Sequence, residues 1–187
     1  MAYTSSQIVQ AVPTGINSAL VFVTGASFTT ATNFSLPTDT FSATYLNYRM
    51  IVNLTACTSD ADFTLRMRAS GSDNTTANYY SGQTGFLSTN SASNVADSSA
   101  TSWNVGESDS GSSLVYNLVL DIFQPNTTIR KSCVGQVNFL NKAANAFVLR
   151  SLGLSLDVGT AMDSLTFISS VASSITGSYK VYGYVNS

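Results

Sequence analysis

The feature that most constrains this chain is a strict two-residue alternation of apolar and polar side chains. Between Leu46 and Leu54, one set of alternate positions carries Leu46, Tyr48, Met50, Val52 and Leu54, and the other carries Asn47, Arg49, Ile51 and Asn53. Successive side chains of an extended strand point to opposite faces, so this pattern predicts a strand with one face in a core and the other largely wet. Asp62 to Ala69 repeats it, with Phe63, Leu65, Met67 and Ala69 inward and Thr64, Arg66 and Arg68 outward. Thr55 to Ala61, between the two, reads as a short hairpin connection.

Further strands are expected at Leu114 to Phe123 and Ile129 to Leu140, joined by a turn at Gln124-Pro125-Asn126-Thr127, and at Phe147 to Leu156, Leu165 to Ser169 and Ser178 to Val185. A short early run spans Leu20 to Val23, another lies near Phe41, and a weak strand follows Tyr79 and Tyr80 at Thr84 to Leu87. No window carries the period of an amphipathic helix, and Asn141 to Asn145 is long enough only for one turn. Composition agrees: 52 Ser plus Thr and 15 Asn in 187 residues favour strands and turns over helix interiors. The expected fold class is all-β, an antiparallel β-sandwich of roughly eight to ten strands, jelly-roll-like in its spacing. Residues 1–18 are polar, lack alternation and contain Pro13 and Gly15, and read as an N-terminal arm on a single sandwich domain at 19–187.

Charge and residue usage exclude several functions. Only 10% of residues are charged, the net charge is −2 and no basic block occurs, which removes the phosphate footprint of a nucleic-acid binder. The apolar run Ala19 to Val23 is far shorter than the roughly 20 residues of a membrane helix, and no cationic stretch precedes it. A soluble, cytoplasmically made protein without membrane insertion is expected. The chain has no His, and so lacks the usual general base, triad member and metal ligand. Cys57 and Cys133 are too few for a structural zinc site and read as small buried apolar residues, with a disulfide as the other reading. No enzyme activity, cofactor or metal is expected.

The acidic pairs Asp60 with Asp62 and Glu107 with Asp109 lie at strand ends or in loops, where solvated turn formers are usual, and neither has EF-hand spacing. Four N-x-S/T sequons, at Asn33, Asn53, Asn74 and Asn126, match the number expected by chance. Residues 90–112 are almost wholly Ser, Asn, Asp, Gly and Ala and read as a long polar loop carrying the single Trp, Trp103. Two readings of Trp103 follow: an exposed indole stacking a sugar ring, or an anchor folded back to pin the loop to the sandwich. Tyr79 and Tyr80 are the other candidates for surface or glycan contact, with cross-strand packing as the alternative.

The segments TYLNYRMIVNLTA and DFTLRMRASGSDNTTANYY, followed near the end by MDSLTFISSVASSITGSYKVYGYVNS with its Tyr182-Gly183 pair, resemble modules of tailed-bacteriophage virion proteins. The resemblance implies a β-sandwich of the kind found in tail fibres, receptor-binding tips and capsid decorations, on the exterior of the particle. It implies a tail-associated or fibre module contacting the host surface, with a capsid cement or decoration protein as the alternative and a polysaccharide-degrading enzyme held back by the missing His. The implied partners are further copies of the chain, with a trimer favoured, other virion proteins and a host surface glycan.

Overall fold

The structure is a computed structural model that describes residues 19–110, 116–141, 146–172 and 174–185. The expected arm 1–18 lies outside the described residues, as do Leu114, Val115 and most of the expected turn at 141–145. The described chain is all β. Its strands are β1 (Leu20–Ala31), β2 (Asn33–Ser35), β3 (Asn47–Cys57), β4 (Ala61–Ala69), β5 (Ser72–Asp73), β6 (Tyr79–Leu87), β7 (Val95–Ala100), β8 (Trp103–Ser108), β9 (Tyr116–Phe123), β10 (Lys131–Asn141), β11 (Ala146–Leu156), β12 (Ser164–Ser169) and β13 (Ile175–Tyr184).

Two antiparallel sheets form. The large one runs β1-β13-β3-β9-β10-β11-β6-β7, and the small one runs β2-β12-β4-β5, with β8 also paired to β4. If β1, β2, β3, β4, β8, β9, β12 and β13 are renumbered in chain order, the sheets read 1-8-3-6 and 2-7-4-5, the order of a jelly roll built from two Greek keys. Two insertions decorate it. The segment with β5, β6 and β7 leaves between β4 and β8, and the hairpin β10–β11 leaves between β9 and β12. They meet through a nine-residue ladder between β6 and β11, and so extend the large sheet well past the jelly roll.

The core lies between the sheets. From the large sheet come Met50, Val52, Leu118 and Leu120, and from the small one Phe63, Leu65 and Phe167, all inaccessible to solvent. Phe63 of β4 meets Tyr116 of β9 edge to face at 4.8 Å, and Phe34 of β2 stacks on Tyr179 of β13 at 4.7 Å. The inward faces expected for β3 and β4 are therefore the core faces, except that Leu46 falls before β3 and is exposed.

Four expectations are corrected. Phe41 is buried, but in the connection between β2 and β3 and not in a strand. Thr55 to Ala61 is no hairpin: β3 belongs to the large sheet and β4 to the small one, so this segment is a corner between sheets, closed by Thr58 N–H donating to the Ser174 carbonyl at 2.9 Å. Leu20 to Val23 is the start of a twelve-residue strand. Residues 90–112 are not one loop, because they contain β7 and β8. Small polar residues hid these strands. β7 is an edge strand needing no apolar face, and β8 carries a bulge that breaks its alternation.

Candidate interaction surface

The bulge is the key to Trp103. Asp62 pairs with Glu107 but Thr64 pairs with Asn104, so Phe63 faces two residues of β8, Val105 and Gly106. The extra residue turns Trp103, Val105, Gly106 and Ser108 all inward. Trp103 is 1% exposed; its Nε1–H donates to the Ser155 carbonyl at 2.9 Å, and its ring meets Tyr79 edge to face at 5.1 Å. The indole thus ties β8 of the small sheet to the inserted strands β6 and β11 of the large one. It has no surface from which to stack a sugar.

Tyr79 and Tyr80, adjacent on β6, go to opposite faces as a period of two demands. Tyr79 is fully buried; its hydroxyl accepts from Met67 N–H at 3.1 Å and donates to the Asn74 carbonyl at 2.9 Å, and burial pushes its pKa up to about 12. It is a bridge between sheets and not a surface contact. Tyr80 is 37% exposed on the outer face of the large sheet. Of the three candidates, only Tyr80 is placed to touch another molecule.

Around Tyr80 the inserted strands build a continuous outer face whose rows follow from the ladders. Tyr80, Ser155 and Ser132 lie side by side, then Gly82, Gly153 and Val134, then Thr84, Ser151 and Gln136, then Phe86, Leu149 and Asn138, and last Phe147 with Leu140. No Asp, Glu, Lys or Arg occupies any of these positions. Phe86 is 69% exposed, with Leu149 and Phe147 both more than half exposed beside it. The three border a shallow hollow of about 450 Å³ with Asn138. At the other end, Tyr80 flanks a second shallow hollow over the facing pair Gly82 and Gly153. A Cβ at Gly82 would meet nothing within 4 Å, and its backbone is not in the left-handed region, so neither space nor backbone requires glycine there. The missing side chains leave the face open. The sequence signal for this surface was the period of two within β6, β10 and β11, in which inward and outward members are sorted only once the ladders set the register.

The charged groups lie elsewhere. Next to the neutral face, on β3 and β9, Arg49 donates to both oxygens of Asp121 at 2.7 Å, and the Tyr184 hydroxyl donates to Asp121 at 2.6 Å. Burial pushes the Asp121 carboxyl up, but these hydrogen bonds outweigh it and hold the group below its ordinary range. A carboxyl lowered in the folded state stabilises in full above the ordinary carboxylate pKa and loses that contribution as pH falls through its own lower value. Acid unfolding followed between about pH 5 and pH 2 should therefore be steeper for the natural chain than for Asp121→Asn. At neutral pH the substitution should cost about 1 kcal/mol or less, because Arg49 reaches solvent. A variant with the same acid slope as the natural chain would refute this assignment.

Two cations are buried and structural. Lys131 is inaccessible, its Nζ donating to the Thr127 carbonyl at 2.7 Å and to the Ile129 carbonyl, and burial lowers its pKa. Arg150 donates to Ser93 Oγ at 2.9 Å and lies over the Phe139 ring at 4.9 Å. The acidic pairs also serve the fold. Asp60 accepts from Ser110 N–H at 2.8 Å, Glu107 accepts from Asn141, and Asp62 and Glu107 are cross-strand partners on β4 and β8. Among the described residues no group of three or more Cys, Asp or Glu is arranged to hold a metal ion. Cys57 and Cys133 are buried free thiols, both pushed up by burial.

A scan against protein-family models and a search of curated proteins found no match. Among solved structures, the chain is similar to the CBM2 module of the evolved Dit of Lactobacillus casei BL23 phage J-1, at 8% identity, covering 83% of this chain and 70% of that one, with a TM-score of 0.25. The phage module is thus a weak neighbour.

Proposed function

We propose that the chain is a non-enzymatic structural module of a tailed-phage virion, exposed on the particle and associated with the tail, that meets the host surface through the outer face of β6, β11 and β10. The observation that carries this reading is the absence of charge from that face together with its exposed aromatic rings. Aromatic faces stack on the apolar faces of sugars, and Ser, Thr, Asn and Gln match hydroxyl groups without the desolvation cost of burying a charge. A neutral surface glycan is the ligand this chemistry suits, with Tyr80 and the hollow beside it as the contact. The resemblance of the strands to virion modules supports the setting, and the lack of any His supports a binding role over a catalytic one. The module acts as a homo-oligomer alongside other virion proteins.

Tyr80→Ala tests it. Binding of the purified protein to host cells or extracted surface polysaccharide should fall about tenfold, as the loss of one stacking contact worth roughly 1.4 kcal/mol. Stability should move by no more than about 0.5 kcal/mol, since the side chain is at the surface. Unchanged binding would sink the glycan reading.

The exposed triplet Phe86, Leu149 and Phe147 favours a second reading, a capsid decoration protein, because a contiguous apolar patch fits a protein neighbour better than a sugar. Under it, Phe86→Asp strips the protein from particles while Tyr80→Ala leaves adsorption intact, and hundreds of copies per particle replace a few to tens.

A further inference from the structure

The sheet edges of this molecule are treated unequally. β2 and β5 have three and two residues, too short to template another strand, and β8, also at the edge beside β4, carries a bulge and Glu107. β7, at one end of the large sheet, has six residues, includes Asp97, carries Ser99 at a φ of 54° and pairs irregularly with β6. Shortness, charge and irregularity are the usual devices that stop edge-to-edge pairing. β1, at the other end, is twelve residues long, about 40 Å when extended. Its sequence, LVFVTGASFTTA, has no charge and no Pro, and its own irregularities, two register shifts and Thr30 at a φ of 46°, flank the stretch Thr24 to Phe28 without entering it. Among the described residues it has β13 on one side and no strand on the other.

The packing under β1 is also incomplete. Val21, Ala26 and Phe28 pair with Gly183, Tyr179 and Gly177 of β13, whose side of the sheet is the core side. Yet Val21 and Ala26 are exposed and Phe28 is only half-buried. The cause is the small sheet, whose edge strand β2 covers just three positions. Phe28 stacks on Phe34 at 4.7 Å, so an aromatic stack runs from this open edge into the core.

We infer that β1 is the site where a second copy of this chain adds its own β1, antiparallel, about a two-fold axis near Ala26. The ladder with β13 is irregular between Phe22 and Thr24 and again between Phe28 and Ala31, so only Thr24 to Phe28 presents a regular edge. Ala26 is its centre. Under a two-fold axis each strand meets its own sequence, and a strand without charge meets no like charge there. Pairing joins the backbone groups of both edges and sets the open core-side residues of the two copies side by side. Such a contact closes with two copies, so a trimer would need another, heterologous surface.

The test uses the full chain. In sedimentation the natural protein should dimerise, and Ala26→Lys, which sets two ammonium groups opposite each other, should raise the dimer Kd at least tenfold without lowering Tm at concentrations where the natural chain is itself monomeric. Directly opposed strand residues have Cα atoms about 4.5–5.5 Å apart, within disulfide reach. Ala26→Cys should therefore form a disulfide-linked dimer under mild oxidation, while the natural chain, with both cysteines buried, should not. A natural chain that stays monomeric at about 100 µM, or a dimer indifferent to Ala26→Lys, overturns the inference. Failure of the Ala26→Cys variant to cross-link overturns it equally, and that includes the case in which residues 1–18 occupy the edge.

Discussion

Replacing Trp103 with Ala should destabilise the protein by roughly 3–5 kcal/mol, the range for truncating a buried large aromatic. The indole is 1% exposed and is bonded through its N–H to the Ser155 carbonyl, so the change opens a cavity and removes a buried hydrogen bond. In thermal denaturation a loss of that size lowers Tm by roughly 10 °C in a domain of this length. Trp103→Phe should keep much of the packing against Tyr79 and lose the hydrogen bond, at about 1–3 kcal/mol. Under the proposed function, binding to host surfaces should follow the folded fraction and nothing else. A Trp103→Ala protein of natural stability would contradict the position of β8 in the fold.

Gly106→Ala should be nearly as damaging although it adds one carbon. Gly106 has a φ of 111°, a conformation that side chains rarely adopt, and a Cβ there would lie 3.0 Å from two ring atoms of the buried Phe139. Strain and overpacking each cost about 1–3 kcal/mol, so about 2–4 kcal/mol is expected from urea denaturation. Gly82→Ala is the matching control. It adds the same carbon on the open outer face with nothing within 4 Å, and stability should change by no more than about 0.5 kcal/mol. If both glycines tolerate Ala equally, the bulge does not hold Trp103 in place.

These two residues show where the sequence stops being readable. Alternation identified β3, β4 and β9 because each carries large apolar side chains every second residue on the core side, whereas β10 and β11 were legible from their apolar content and bounding turns although Lys131, Gly135 and Arg150 interrupt their core side. β8 has the same task with one residue too many, and a single bulge moves Glu107 out and Ser108 in, which erases the period. The carboxylates behave likewise: Asp62 and Glu107 are far apart in the chain and become neighbours only through the β4–β8 ladder. Tyr79 and Tyr80 could not be sorted from their types. Once the register of β6 is set, one must be core and the other surface.

The sequence by itself determined that this chain is an all-β sandwich, which side of its central strands faces inward, and that histidine chemistry is closed to it. Those properties are local, since side-chain period, turn residues and residue types act within a few positions of one another. The tertiary structure alone decided that β3 and β4 part into different sheets, that two insertions meet to lengthen one sheet, and that Trp103 is core. It also decided that the outer face of β6, β11 and β10 is uncharged and that β1 lies at one end of the large sheet. Those properties depend on which strand lies beside which. Pairings between strands distant in the chain, such as β6 with β11 and β1 with β13, are selected by the whole set of contacts and leave no mark on either partner alone.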